Sequence, residues 1–293
     1  MKMKESLGRK TYLLINALLL GIVGFVCLAP MLHVLSCSIS DPATLARIRG
    51  FHLWPITPYS FEGYKAVLGY QSILTGYSNT IFYVAAGVAI NLTLTTVAAY
   101  VLSRRRFMPA NVIMLFIAFT MLFNGGLIPN YLLIINLGLI NNRLAVLLPA
   151  AFNAFNLVIM RTSFREIPDA LEESARLDGA NDLQILWHII IPVSKATIAV
   201  ITLFVAVAIW NSWFTASIFL TDHGKWPLQL FLREILINNS QRSLNTGVKA
   251  SAMAQQTLVK YCIIVVATLP ILFIYPFLQK YFVKGVMIGS IKG

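Results

Sequence analysis

The sequence has few charged residues and very few acidic ones. Of its 293 residues, 12% are charged, 11 are Asp or Glu, and 58% are hydrophobic, whereas ordinary soluble domains carry roughly a quarter charged residues. An ordinary soluble domain is therefore excluded. The net charge of +12 does not indicate nucleic acid, because the basic residues form short clusters between long uncharged runs, as in loops that flank membrane spans.

Several reactive groups are also scarce or missing. Cys27, Cys37 and Cys262 lack the paired spacing of a metal site or a disulfide framework, so we expect all three to be structural. His-Glu-x-x-His, Cys-x-x-Cys and the phosphate loop G-x4-G-K-[ST] do not occur. No apolar run has a central charged residue, which argues against a proton-coupled or sodium-coupled carrier. We therefore expect no catalytic residues, no metal and no cofactor in this chain.

Long apolar runs dominate what is present. A helix needs about 20 mostly apolar residues to cross a bilayer, because its backbone polar groups must pair within it. Six candidates meet this need: Tyr12–Ser36, Tyr77–Leu102, Ala110–Phe123 with some extension, Leu144–Thr162, Ala196–Leu220 and Leu258–Lys280. After the third, Asn124-Gly125-Gly126 and Pro129 either end the span or bend it. We predict an all-α polytopic membrane protein, with residues 1–293 forming one transmembrane domain.

The basic residues predict the orientation of these spans. Most of the 23 Lys and Arg residues fall in alternate segments, namely the N-terminus, residues 104–106, the segment Arg161–Lys195 and the C-terminus. Short basic loops are retained on the cytoplasmic side. Both termini, and the segment Arg161–Lys195, are thus expected to face the cytoplasm of a cell whose plasma or inner membrane holds the protein.

That segment is too patterned for a simple turn. It holds six of the eleven acidic residues, which are Glu166, Asp169, Glu172, Glu173, Asp178 and Asp182. Pro168 suits a first helical turn, and Gly179 can adopt the left-handed conformation that ends a helix. Asn181 or Asp182 can cap a second helix, in which Leu183, Leu186, Trp187 and Ile190 form an apolar stripe that Pro192 interrupts. The sequence predicts a helix, a tight turn and a second helix.

The spacing in this segment resembles a known family. Glu173-Ser174-Ala175, Gly179 and Ile189-Ile190-Ile191-Pro192 are similar to the EAA-x3-G-x9-I-x-L-P loop of permease subunits in ATP-binding-cassette (ABC) importers, with Ser174 and Ile191 as mild departures. In that family the loop docks on the ATPase subunit, so we refer to residues 164–195 as the coupling loop. The resemblance implies coupling roles for Glu172, Glu173, Ser174, Ala175, Asp178, Gly179, Ala180, Ile189 and Pro192, and the fold of a type I importer permease.

Other stretches resemble one branch of the family. The tail from Lys284 to Gly293 is similar to that of the G-type maltose permease, which implies that Gly289, Ser290, Lys292 and Gly293 contact the ATPase. The stretches Trp210–Phe214 and Trp226–Gln229 resemble permeases for oligosaccharides, including uronate-containing ones. The implied partners are a second permease subunit in a heterodimer, two ATPase subunits that bind ATP and Mg²⁺, an extracytoplasmic solute-binding protein, the oligosaccharide and membrane lipid.

The substrate path is less defined by the sequence. Sugars bind to aromatic faces with amide or hydroxyl partners, so Trp210, Asn211 and Trp213 would suit a path, although the two tryptophans could instead form an interfacial belt. Asn91 could line the path or bond to a neighbouring helix. Import of amino acids or peptides by the same machine, a self-contained secondary carrier and a membrane enzyme are the alternatives to sugar import.

Overall fold

The computed structural model describes residues 7–48, 50–123, 125–245 and 254–273, and these residues form helices without a β-strand. The helices are α1 (Leu7–Ile39), α2 (Pro42–Arg47), α3 (Glu62–Gly69), α4 (Gln71–Ser103), α5 (Ala110–Leu122), α6 (Leu127–Asn136), α7 (Leu144–Ala150), α8 (Ala154–Arg165), α9 (Asp169–Leu177), α10 (Asp182–Ile185), α11 (Ile191–Val193), α12 (Lys195–Trp210), α13 (Phe214–Phe219), α14 (Leu228–Asn245) and α15 (Ala254–Phe273).

Helices α1, α4 and α15 are each long and apolar enough to cross a membrane. Two bent pairs, α5 with α6 and the run Asp182–Val193 with α12, meet the same test of length and composition. The third expected span ends at Leu122, and a separate helix follows from Leu127. Whether the glycines and Pro129 end this span or bend it stays a prediction, because the two helices also meet the span test as one bent pair.

Two of the expected spans are not single continuous helices, so the prediction was wrong for them. The fourth, Leu144–Thr162, consists of α7 and α8, which are separated at Ala151–Asn153 where Asn153 caps α8 through the peptide nitrogen of Asn156. The fifth, Ala196–Leu220, is broken at Asn211–Trp213 between α12 and α13. Pro149 lies in the last turn of α7, and a proline ring disturbs the helical hydrogen-bond ladder around it.

The described residues divide into two compact units, one within residues 7–71, 234–245 and 254–269 and the other within residues 72–233 and 270–273. In the first unit, Gly63 lets α3 approach α15 so closely that an added Cβ atom would lie 2.6 Å from the sulfur of Cys262. The same sulfur lies 3.4 Å from the carbonyl oxygen of Ser38 in α1. Cys27, Cys37 and Cys262 are all free thiols.

In the second unit, the core is formed mainly by α4, α8, α12 and the helices of the coupling loop, with buried residues of α5, α7, α13 and α14 added to it. Its fully buried side chains include Tyr83, Leu157, Met160, Phe164, Ile185, Ile190 and Ile201. In its third turn, α4 forms hydrogen bonds with the segment Gly224–Leu228. The Asn79 amide donates to the carbonyl oxygens of Gly224 (2.8 Å) and Trp226 (3.0 Å), and the Leu228 peptide nitrogen donates to Thr80 Oγ1 (2.8 Å).

Candidate functional site

The coupling loop begins with α9, whose two ends are set by local chemistry. Pro168 precedes the helix, and Asp169 and Glu172 lie in its first turn, where the helix dipole favours negative charge. At the other end, Gly179 has a φ of +84°. Its peptide nitrogen donates to the Arg176 carbonyl (3.0 Å), and the Ala180 nitrogen donates to the Ala175 carbonyl (2.9 Å). These two bonds form a Schellman motif, so the expected glycine turn is confirmed.

The second helix starts at a capping box. Asn181 Oδ1 accepts from the Gln184 nitrogen, and Gln184 Oε1 accepts from the Asn181 nitrogen, each at 2.9 Å. Helix α10 continues as a π-helix over Leu186–Ile190 and as α11. Pro192 therefore lies within the helical run and does not interrupt it, because the run ends at Ser194.

The apolar stripe of this helix is only partly as expected. Leu186 and Ile190 are buried, together with Ile185, and Ile189 is half-buried against the core. Leu183 and Trp187, in contrast, are 67% and 63% exposed. The π-helical turn has more residues per turn than an α-helix, so a stripe drawn at α-helical spacing does not follow its buried face.

A buried ion pair attaches α9 to the end of α4. Arg104 Nη1 donates to Glu172 Oε2, and both side chains are about nine-tenths buried. Glu172 Oε1 also accepts from Arg176 (3.0 Å) and from the Tyr100 hydroxyl (3.2 Å). Arg104 uses its other nitrogens to donate to Phe164 O (3.2 Å) and Ser103 Oγ (3.0 Å). The pair is thus fully hydrogen-bonded, as a buried charge requires.

A second, more exposed set of ion pairs lies beside it. Asp182 Oδ1 accepts from Arg106 (2.7 Å) and also from Arg176. Because Arg176 donates to Glu172 as well, it bridges the carboxylates of Glu172 and Asp182. Burial alone would raise the pKa of Glu172, but the hydrogen bonds from Arg176 and Arg104 outweigh it and the pKa is lowered. The pKa of Asp182 is lowered in the same way, since Arg176 and Arg106 offset its desolvation. Both carboxylates are therefore ionised at neutral pH.

The opposite side of α9 is left open. Glu173, Ser174, Leu177 and Asp178 are exposed and share one face at helical spacing, and Leu177 is 90% exposed. Ala175 and Ala180 pack towards the core. An acidic face with an apolar centre, on a helix that is fixed from behind, is suited to docking in a cleft of another protein.

Sequence reasoning missed Tyr100, Arg104 and Arg106 as parts of this site. The coupling role assigned to Glu172 stays a prediction; in the structure its carboxylate points inward to Arg104. One signal was present: three consecutive arginines, Arg104–Arg106, end a span next to a segment that holds most of the acidic residues. Leu177 was also missed, because an exposed leucine is ordinary in sequence and only the structure places it at the centre of the open face.

The residues expected along a substrate path do not meet at one place. Trp210 is buried in α12, with its ring 6.3 Å from that of Tyr77. Asn211 donates to the Val207 carbonyl of its own helix (2.9 Å). Trp213 lies beneath the Arg233 guanidinium, 3.6 Å from the ring centre. Whether any of them contacts substrate stays a prediction.

The remaining expected contacts lie elsewhere. Gly289, Ser290, Lys292 and Gly293 of the tail lie outside the described residues. Within the described part of the chain, no group of three or more His, Cys, Asp or Glu side chains could hold a metal ion.

Comparison with known proteins identifies the class that this fold and loop define. Residues 91–288 match the family model of the binding-protein-dependent transport system inner membrane component. The chain belongs to this family of importer permeases.

Individual relatives cover nearly the whole chain. It is 40% identical over 278 residues to Protein LplC of Bacillus subtilis (strain 168). The aligned region covers 95% of this chain and 94% of LplC. It is 40% identical over 270 residues to the polygalacturonan/rhamnogalacturonan transport system permease protein YtcP of the same organism, covering 92% and 93% of the two chains. A crystal structure of a bacterial ABC transporter involved in the import of the acidic polysaccharide alginate contains a chain with 38% identity and a TM-score of 0.83, covering 95% of this chain and 99% of that one.

Proposed function

We propose that this chain is one of two membrane subunits of an ATP-driven importer for oligosaccharides, with acidic, uronate-containing sugars as the preferred class. The observation that carries the proposal is the open acidic face of α9, held from behind by the buried Arg104–Glu172 pair. The names of YtcP and of the alginate transporter support the sugar class, since both refer to acidic polysaccharides.

The mechanism follows from how α9 is held. An ATPase subunit binds the open face through Glu173, Ser174, Leu177 and Asp178, and its movement on binding ATP displaces α9. The ion pair carries the displacement to α4, and the helical run of α10 and α11, which meets α12 at a bend of 84°, carries it to α12. Helices that move as rigid bodies can then open the path on one side and close it on the other.

The assembly has to supply what this chain lacks. Two ATPase subunits bind ATP and Mg²⁺, a second permease completes the path, and a solute-binding protein delivers the sugar from outside. We expect both termini of this chain to face the cytoplasm, and Gly289, Ser290, Lys292 and Gly293 to contact the ATPase subunits. The chain itself carries out no chemical step.

The test is to purify the chain from its native membrane and identify what accompanies it by mass spectrometry. ATP hydrolysis is then measured with binding protein loaded with oligogalacturonate, with a neutral oligosaccharide or with a peptide. We expect an ATPase and a second permease to co-purify, and the acidic sugar to give the greatest stimulation. If the chain purifies alone and transports by itself, the proposal of an ATP-driven importer is wrong. If only the peptide stimulates ATP hydrolysis, the assignment of sugars as the substrate class is wrong.

A further inference from the structure

The coupling loop joins α12 at a sharp bend, and Ser194 is the one residue between α11 and α12. The helical run Asp182–Val193 and α12 meet there at 84°. Ser194 is nevertheless hydrogen-bonded as in a helix on both sides. Its peptide nitrogen donates to the Ile190 carbonyl (3.0 Å), and its carbonyl accepts from the Ile198 nitrogen (3.1 Å). The bend therefore depends on the torsion angles at this joint and not on a connecting loop.

The side chain of Ser194 is buried without a hydrogen bond. The residue is 5% exposed, and its Oγ atom has no hydrogen-bond partner among the described residues. It is the only buried side-chain oxygen or nitrogen in that part of the chain of which this is true. A buried hydroxyl without a partner is unfavourable, and such groups are rare in folded proteins. The hydroxyl thus needs a partner that this arrangement of the joint does not supply.

The position of Ser194 indicates which partner that is. Ser194 is the N-cap residue of α12, but its side chain makes no capping hydrogen bond. Serine is preferred at this position because its hydroxyl accepts from the second or third peptide nitrogen of the helix. In α12 these nitrogens belong to Ala196 and Thr197. A cap bond to one of them would satisfy the hydroxyl.

The backbone conformation of Ser194 explains why this bond is missing. N-cap residues usually have an extended conformation, which directs the side chain towards the first nitrogens of the helix. The ψ angle of Ser194 is only 17°. The residues of the described ranges that do cap a helical segment with their side chains have ψ angles between 115° and 168°, and they are Asp41, Asn153, Asn181 and Asp222. Ser194 would become a cap if its ψ angle turned towards that range.

Such a rotation would change the angle between the coupling loop and α12 without breaking the backbone hydrogen bonds of Ser194. Its bond to Ile190 lies before the rotating Cα–C bond, and its bond from Ile198 lies after it, so each moves with its own helix. Val193 and Lys195 on either side are exposed, so their torsion angles can adjust without moving a buried side chain.

The two helices that meet at the joint are themselves attached to the core. Ile190 is fully buried, and Thr197 Oγ1 forms a hydrogen bond with Ser163 Oγ of α8 (2.8 Å). The joint between them has no side-chain hydrogen bond of its own from Ser194. Hinges in proteins commonly consist of a few residues at the end of an element that change their backbone angles while the elements move as rigid bodies.

We propose that Ser194 is a two-state hinge between the coupling loop and α12, whose hydroxyl is unpaired in the arrangement of this structure and caps α12 in the other nucleotide state of the importer. The inference rests on the proposed ATP-driven import. Displacement of α9 by the ATPase turns the run Asp182–Val193, and the cap bond stabilises α12 at the new angle. The bend then has two preferred angles, so that the movement of the coupling loop gives α12 two defined positions.

The test uses the complete importer, purified without nucleotide and with ATP trapped by vanadate. Hydrogen–deuterium exchange is followed in a peptide that covers residues 194–199. In the wild type, the amides of Ala196 and Thr197 should exchange about fivefold more slowly in one of the two nucleotide states, as the stabilisation by one N-cap predicts. Ser194→Ala should remove this difference, and Ser194→Thr, which keeps a hydroxyl, should restore it.

Thermal unfolding gives a second measurement, in which the hinge predicts an unusual sign. In the nucleotide state with the faster exchange, Ser194→Ala removes a buried hydroxyl that has no partner, so the melting temperature should stay the same or rise. Ser163→Ala is the matched control. Its hydroxyl is paired with Thr197, so this variant should lower the melting temperature in both nucleotide states.

The outcomes separate the hinge from the proposed function. Equal exchange of the wild-type peptide in both nucleotide states would overturn the hinge while ATP-driven import stands. A difference that persists in Ser194→Ala, or a Ser194→Thr variant that assembles and behaves like Ser194→Ala, would show that the hydroxyl is not the cap. A fall in melting temperature as large as that of Ser163→Ala would show that the hydroxyl is already paired, which also overturns the inference. If no ATPase co-purifies with the chain, the proposed function and the hinge both fail.

Discussion

Replacing Glu172 with glutamine tests the mechanical link between α4 and α9. The change keeps the size of the side chain but leaves the Arg104 guanidinium charged, about nine-tenths buried and without its carboxylate. Removal of one partner from a buried ion pair typically costs about 3–5 kcal/mol. Because Arg104 keeps its bonds to Phe164 O and Ser103 Oγ, we expect the lower end, about 3 kcal/mol, against local opening of the loop.

Hydrogen–deuterium exchange measures this opening directly. A loss of about 3 kcal/mol corresponds to a roughly 100-fold faster exchange of the protected amides of α9. In the assembled importer, the same variant should hydrolyse ATP with less sugar moved per ATP, because α9 then moves without drawing α4 with it. The double variant Arg104→Met with Glu172→Leu should recover much of the protection, since it removes both charges together.

Asp169→Asn is the matched control. Asp169 also pairs with an arginine, Arg105, but the atoms are 3.5 Å apart and the side chains are 54% and 79% exposed. Exposed pairs contribute well under about 1 kcal/mol, so exchange and coupling should stay near wild type. Equal behaviour of Glu172→Gln and Asp169→Asn would refute the reasoning that burial gives the Arg104 pair its mechanical role.

Three further predictions concern the turn, the ion pairs and the opposite end of α4. Gly179→Pro should insert normally yet uncouple hydrolysis from transport, because proline can neither adopt a φ of +84° nor donate to the Arg176 carbonyl; normal uptake would remove the coupling assignment. Since the folded-state pKa values of Glu172 and Asp182 are lowered, their stabilisation of the loop is complete above about pH 4.3 and is lost as the pH falls through the lowered values. Exchange of α9 amides, corrected for intrinsic rates, should therefore rise only in acid, and a rise between pH 6 and 8 would contradict this. Gly76→Ala would place a Cβ atom 2.9 Å from the Leu228 Cα atom, so the free energy of unfolding should fall by about 1–3 kcal/mol. An unchanged melting temperature would contradict this prediction, because it would show that α4 and α14 can move apart at no cost.

The local features of the coupling loop could be predicted because each depends on a few adjacent residues. Pro168, Gly179 and Asn181 mark helix ends by their own backbone and capping chemistry, and the structure has the expected ends at those positions. The all-α membrane class also follows from the sequence, since apolar length is a property of single segments.

The missed features depend on residues that are far apart or on local distortions. Arg104 and Glu172 are separated by 68 positions, so no short-range pattern links them. The breaks at Ala151–Asn153 and Asn211–Trp213 lie within segments that are mostly apolar, and mean hydropathy over a segment does not distinguish a continuous helix from two shorter ones.

Helix α4 has a consequence for how the two faces of the membrane communicate. It is one unbroken helix of 33 residues, about 50 Å long at 1.5 Å per residue. Arg104, which directly follows the helix, pairs with Glu172 of α9, and in the third turn of the helix Asn79 and Thr80 hydrogen-bond to the segment Gly224–Leu228. If α9 moves as the proposed mechanism requires, α4 can carry that displacement to Gly224–Leu228 as one rigid body.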